Sequence, residues 1–257
     1  MSSSENEVTR VILEDTWEAD DVKNWCASKN ISCEELSVDT LEAIDAVAFV
    51  NSTYMCNTKL VQEKLQEARL QHKVPSTYPV QLRPLLHRNV EEKLLGDISS
   101  SNLPSFIKPV SNDKCFDGRV IEDQDSLSRL MEEARDIHCP VWTSDKVSFL
   151  VEYRLFIGCG NVYGCGRIQG CSDAVPPASF VNELLACCGS DVYWAVDVGL
   201  MTRVHDDSYH SDAGKREAPS CWAVVEVNPP FSLDDHGLDI DSYCQYCQDA
   251  CEWMRRD

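Results

Sequence analysis

The run Ala223-Val-Val-Glu226-Val-Asn228 sets a carboxylate and an amide two residues apart in an otherwise apolar stretch. Side chains alternate across a strand, so Glu226 and Asn228 are expected on one face. Oxygen donors buried beside each other are costly unless something positive sits between them. Magnesium takes hard oxygen ligands and keeps positions open for phosphate. Asp197, in Trp194-Ala-Val-Asp-Val-Gly199, is a second acid in an apolar strand. If the two strands are neighbours, Asp197, Glu226 and Asn228 form a set of oxygen ligands. The plainer reading places each on the exposed face of its strand.

Cationic residues repeat the pattern with opposite sign. Lys108 lies inside Phe106-Ile-Lys-Pro109, where a half-buried ammonium needs an anion, and the polar loop Ser111–Gly118 that follows carries Lys114. Arg154, in Val151-Glu-Tyr-Arg-Leu-Phe-Ile157, and Arg167, in Gly164-Cys-Gly-Arg-Ile168, flank a turn at 158–161. Hairpin spacing makes the two guanidinium groups candidate cross-strand neighbours, tolerable if they share an anion such as phosphate or carboxylate.

These residues need strands to hold them. Val147–Ile157, Asn161–Gln169, Tyr193–Met201 and Trp222–Asn228 read as strands divided by turn signals, with helices over Pro177–Cys187 and Asp241–Arg255. Ser105–Val110 reads as a strand, Asn89–Gly96 as a short helix stopped by glycine, and Asp125–His138 as an amphipathic helix. The order implies α+β, an antiparallel sheet with helices on one side. Upstream, Thr9–Leu13 and Ala46–Val50 read as strands, Asp20–Ser28 and Cys56–His72 as helices, giving a small Rossmann-like α/β unit without a glycine-rich phosphate loop. Three prolines at 75, 79 and 84 mark a boundary. The expected units are 1–78 and 79–257, the second divided at 140/141.

Composition narrows the function. A net charge of −20 argues against nucleic acid or an anionic membrane as partner, though not against a nucleotide met by local cations and magnesium. Residues 1–7 are polar and acidic, unlike a secretory signal, and no apolar run is long enough for a membrane span, so a cytoplasmic location is expected. Fourteen cysteines scattered in apolar segments suit reduced buried thiols. Cys244, Cys247 and Cys251 share a helical face, fitting a core stripe or, with His236 or Cys221 as a further ligand, a zinc site.

Taken in order, Phe-Ile-Lys108-Pro, Val141-Trp-Thr-Ser-Asp145, Glu-Tyr-Arg154-Leu-Phe-Ile, Gly-Arg167, Val-Asp197-Val-Gly and Val-Glu226-Val-Asn228 resemble the ATP-grasp superfamily over residues 75–257. The resemblance implies two α+β subdomains clamping ATP, preceded by the Rossmann-like unit. It implies that Lys108 and Lys114 meet phosphates, that Val141, Trp142, Thr143, Ser144 and Asp145 form the hinge against adenine, and that Asp197, Glu226 and Asn228 ligate Mg2+. Arg154 and Arg167 match the pair on the γ-phosphate or acyl phosphate, and Arg83 or Arg88 would stand in for a second lysine. The implied activity is ATP-dependent ligation of a carboxylate and an amine, both unidentified. A regulatory ATP-binding protein and a small-molecule kinase remain as alternatives.

Overall fold

The structure, a computed structural model, describes residues 10–14, 19–110, 115–203, 220–231 and 233–256. It opens with β1 (Arg10–Glu14), α1 (Ala19–Lys29), β2 (Ser32–Leu36), α2 (Val38–Ala43), α3 (Ala46–Val50), β3 (Thr53–Met55) and α4 (Thr58–Glu67). The three strands form a parallel sheet in the order β2-β1-β3. Central β1 buries Val11, Ile12 and Leu13, as a parallel strand covered on both faces must. Ala46–Val50, expected as a strand, is helical. The Asp45 carboxylate accepts hydrogen bonds from the Val47 and Ala48 amides at 3.0 and 3.2 Å, capping a turn whose Phe49 and Val50 are buried. The strand that follows is Thr53–Met55.

The second sheet is antiparallel, in the order β4-β7-β5-β6, from β4 (Val90–Leu94), β5 (Ser105–Pro109), β6 (Arg119–Ile121) and β7 (Pro140–Asp145). Residues 90–94, expected as helix, are the edge strand β4, and the glycine stop falls in the short 3-10 turn Leu95–Asp97 after it. Helix α5 (Gln124–Ala134) starts at Asp123, whose carboxylate accepts from the Ser126 amide at 2.8 Å, and ends at left-handed Arg135, earlier than expected. Its Leu127 and Leu130 pack with Ile107, Ile121 and Val141 on one face of the sheet.

The third sheet runs β11-β10-β8-β9, antiparallel throughout, from β8 (Val147–Gly158), β9 (Asn161–Gly170), β10 (Tyr193–Arg203) and β11 (Cys221–Asn228). Helix α6 (Ala178–Cys188) covers one face, where Phe180 and Leu184 meet Tyr153, Leu155, Val196 and Val198. Helix α7 (Ile240–Arg255) covers part of the other, where Tyr243 and Tyr246 meet Phe156 edge-on. Helices thus lie on both faces of this sheet rather than on one. The same helix closes the N-terminal sheet, so α7 and β1–β3 share one core. No helix among the described residues is long and apolar enough to cross a membrane.

Candidate functional site

On β8, Val151, Tyr153, Leu155 and Ile157 face α6, so Glu152 and Arg154 face the other way. On β10, Trp194, Val196 and Val198 face α6, leaving Asp197 beside Arg154, its register partner. On β11, Glu226 is paired with Asp197 and Asn228 with Ala195. Alternation therefore gathers Glu152, Arg154, Asp197, Glu226 and Asn228 on the face that α7 leaves uncovered. The smaller sheet adds Lys108 and its register partner Trp142, with Phe106 and its partner Ser144 beside them.

The contacts are close. Arg154 donates from Nε and Nη2 to the two Asp197 carboxylate oxygens at 2.8 and 2.9 Å, a bidentate pair. Asn228 Nδ2 donates to Asp197 Oδ2 at 2.9 Å, and Lys108 Nζ donates to Glu226 Oε2 at 2.5 Å. The Lys108–Glu226 bridge ties the two sheets together across the cleft. Burial pushes the Asp197 carboxyl above the ordinary aspartate range, with Arg154 pulling against it and Glu226 adding to it. Burial works to lower the Lys108 ammonium, but Glu226 and then Tyr78 outweigh it, so the group stays above its ordinary value. Glu152 is raised by burial and by the negative charge of Asp197 and Glu226, and His236 is lowered by burial and by Arg154.

Two of the expected cations stand apart. Arg167 faces Tyr153 rather than Arg154, is exposed, and donates from Nη2 to the Gly170 and Ser172 carbonyls at 2.8 and 2.9 Å. The cause is a bulge: Glu152 pairs with Gln169, but Tyr153 pairs with Arg167, leaving Ile168 as the extra residue. Lys114 lies outside the described residues. Arg83 is exposed. Arg88 enters the site instead, donating to the Val224 and Val225 carbonyls at 2.8 and 2.7 Å. Those carbonyls belong to a second bulge, since the β10–β11 register shifts between Asp197 and Val198, so Arg88 braces the backbone next to Glu226.

A cavity of about 550 Å³ opens on this cluster, lined by the apolar Phe106, Val120, Phe149 and Ile168 and by the end of β7 and start of β8, Asp145 and Val147. Of the expected hinge residues, Ser144 and Asp145 line it. Val141 instead packs beneath α5. Trp142 meets Tyr78 edge-on at 5.1 Å, and the Thr143 hydroxyl donates to the Glu91 carbonyl at 3.2 Å. Alternation within a regular strand explains the split. Asp234 and His236 also line the cavity, on a loop that crosses β9. A Cβ added at Gly166 would lie 2.8 Å from the His236 carbonyl oxygen and 2.9 Å from that of Asp235, so glycine there lets the loop approach. The Gly164-Cys-Gly166 spacing was the sequence signal for this crossing; Glu152, two residues before Arg154, was legible from alternation alone.

Five carboxylates, Asp145, Glu152, Asp197, Glu226 and Asp234, line the cavity against Arg88 and Arg154. A polyphosphate entering so acidic a space needs accompanying cations, and the donors offered are hard oxygens suited to Mg2+. Asp197 and Glu226 are here engaged by Arg154 and Lys108, and no cluster of three or more acidic, His or Cys side chains among the described residues is arranged as a metal site. Cys244, Cys247 and Cys251 are buried in the α7 core, none of the fourteen cysteines forms a disulfide, and His236 faces the cleft.

Comparison with known proteins bears on the same region. A family model for an ATP-grasp domain, the second family of its clade, matches residues 85–246, more than half of the 257. Curated proteins give no match. Among solved structures, the chain is similar to the D-cycloserine synthetase DcsG, at 11% identity and TM-score 0.54, over 96% of this chain and 100% of that one. It is similar to the D-alanine–D-alanine ligase of Bacillus anthracis complexed with ATP, at 15% identity and TM-score 0.52, over 95% and 97%. It is also similar to the ATP-grasp ligase PsnB complexed with a minimal precursor, at 12% identity and TM-score 0.52, over 96% and 100%. At these identities the likeness establishes the fold.

Proposed function

Because this chain belongs to that family of ATP-grasp domains, and so to a superfamily of ATP-dependent ligases, we propose that it joins a carboxylate to an amine through an acyl phosphate. The observation that carries the reading is the convergence of Lys108, Arg154, Asp197, Glu226 and Asn228 from four strands of two sheets. ATP fits the 550 Å³ cavity, with the base among Phe106, Val120, Phe149 and Ile168 and the phosphates toward Lys108 and Arg154. Mg2+, held by Asp197, Glu226 and Asn228, supplies charge neutralisation on the β- and γ-phosphates, and a PsnB structure complexed with Mg and ADP supports that pairing.

The chain's own residues do positioning and electrostatic work. Lys108 and Arg154 neutralise the equatorial oxygens of the transferring phosphoryl group. Asp197 orients the Arg154 guanidinium through two hydrogen bonds, and Asn228 orients Asp197 in turn. A substrate carboxylate oxygen attacks the γ-phosphorus, the bond to the β–γ bridging oxygen breaks, and ADP leaves. The amine nitrogen then adds to the acyl carbon and loses a proton, and inorganic phosphate departs as the amide forms.

Titrating ATP with and without Mg2+ while following the melting temperature tests the nucleotide site. Saturation at 100 times Kd adds about 2.7 kcal/mol. A magnesium-dependent rise in the wild type, absent in Lys108→Ala, is expected; no rise at millimolar ATP sinks the reading. With substrate present, free phosphate marks a ligase, a phosphorylated product a kinase, and binding without turnover a regulatory site.

A further inference from the structure

A second cavity, of about 650 Å³, opens on the far side of the Lys108–Glu226 ion pair. Glu226 lines the first cavity and Lys108 lines the second, so the ion pair is the partition between them. Asn228 also lines the second cavity while its amide holds Asp197. A phosphoryl group bound at the partition is therefore within reach of a ligand in either space.

The outer wall is the face of α4 that its core does not use. Leu60, Val61, Lys64 and Leu65 are buried beneath the helix. Gln62 and Gln66, one turn apart, line the cavity beside Lys59 and Glu63, which neutralise each other at 3.9 Å. Gln71 continues the row of amides, and Val74, Val110 and Val227 set apolar surface between them. Glu92 is the remaining acid, and Lys108 the cation at the inner end.

This wall chemistry selects its ligand. A nucleotide or polyphosphate would need cations along the wall, where the one lysine is already paired. Carboxamide groups both donate and accept, which matches peptide groups, and the valines between them suit side chains. An anion is accommodated at one place, the partition. We propose that this second cavity binds the carboxylate substrate, and that the substrate is a peptide whose carboxylate meets Lys108; the proposal rests on the ATP-dependent ligase reading above. There the carboxylate oxygen attacks the γ-phosphorus and ADP is released, giving a peptidyl phosphate.

The test uses the full-length protein with ATP, Mg2+ and hydroxylamine, which displaces phosphate from an acyl phosphate to leave a hydroxamate. The probes are N-acetylated tetrapeptides with free C-terminal carboxylates, the same peptides amidated, and single N-acetylated amino acids. Hydroxamate is expected from the free-carboxylate tetrapeptides, much less from single amino acids and none from the amides. The double variant Gln62→Leu/Gln66→Leu should raise KM for the tetrapeptides about tenfold or more, as the loss of two ordinary hydrogen bonds implies. The ATP-dependent rise in melting temperature, which reports folding and the first cavity, should be unchanged. Equal hydroxamate from single amino acids, a wild-type KM in the double variant, or no hydroxamate from any peptide while ATP–Mg2+ still raises the melting temperature each overturns the proposal and leaves the ligase reading standing. Absence of that rise in the wild type overturns the ligase reading itself, and this proposal with it.

Discussion

Arg154 and Asp197 have side chains only 13% and 6% exposed, so removing either partner leaves a charge away from water. Arg154→Met should destabilise the protein by about 3–5 kcal/mol at pH 8. The sign of its pH dependence follows from Asp197. Its folded pKa already sits above 3.8 through burial, and losing Arg154 raises it further. An acid with a raised folded pKa contributes stability that is full below its unfolded value and lost as pH rises through the folded one. The deficit of the variant should therefore shrink at pH 5, measured by urea unfolding; an equal deficit at pH 5 and pH 8 argues against an uncompensated Asp197 carboxylate. Glu226→Gln and Asn228→Ala test ligation rather than folding, since Glu226 is about a quarter exposed and neither side chain is core. Both should keep the fold and lose the magnesium-dependent stabilisation by ATP, about 2.7 kcal/mol at 100 Kd. Unchanged nucleotide affinity in both would refute their role. At this scale the sequence was readable where alternation ruled: Glu226, Asn228 and Asp197 share a face as their spacing implied. It misled for Arg154 and Arg167, because pairing of those two follows from an unbroken hairpin and the bulge at Ile168 turns Arg167 to the opposite side.

Elements were legible in proportion to their length and periodicity. The long strands β8 to β11 follow the expected spans, whereas Ala46–Val50 is a five-residue apolar run that could be strand or buried helix by pattern alone. Its cap decides: Asp45 accepts two amide hydrogen bonds at the start, a local signal outweighed by the apolar run when read alone. Val90–Leu94 misled in the other direction, since Glu91, Glu92 and Lys93 suit an exposed helix as well as an edge strand. The loop carrying Asp234 and His236 depends on β9 having no side chains where it crosses, and two glycines permit this unequally. Gly166→Ala would press its Cβ against the carbonyl oxygens of Asp235 and His236, which move only with the backbone. Gly164→Ala would meet the end of the Leu238 side chain, which can rotate away. The first should cost about 1–3 kcal/mol and weaken ATP binding by displacing the loop, and the second should cost less. Urea midpoints and ATP titrations of the two variants check this; a larger loss from Gly164→Ala would show that the crossing is not backbone-limited.

Across the molecule, the N-terminal unit and the helix from the other end of the chain share one interior. Val11, Phe49, Tyr54 and Leu65 belong to the same buried cluster as Tyr246, Ala250, Cys251 and Met254 of α7. Polar contacts reinforce it: Trp25 Nε1 donates to Asp241 Oδ1 at 2.8 Å, and Lys73 Nζ donates to the Trp253 carbonyl at 2.9 Å while lying 5.3 Å from that indole ring. Three cysteines of α7 that could be read as metal ligands from spacing serve here as small apolar residues in that interior. We propose that 1–78 and 79–257 are units in sequence that fold only together. Residues 1–78 alone lack the cover for one face of a three-stranded sheet, and a chain of that size has little core to spare. The fragment should therefore show no cooperative unfolding transition by circular dichroism and unprotected amides in hydrogen exchange. Adding a peptide spanning residues 236–257 should restore helicity and protection in β1 and β3. A fragment that unfolds cooperatively by itself would mean that α7 is a passenger on a self-sufficient domain. The coupling would then fail as a route by which the α4 wall of the second cavity is held against the two sheets.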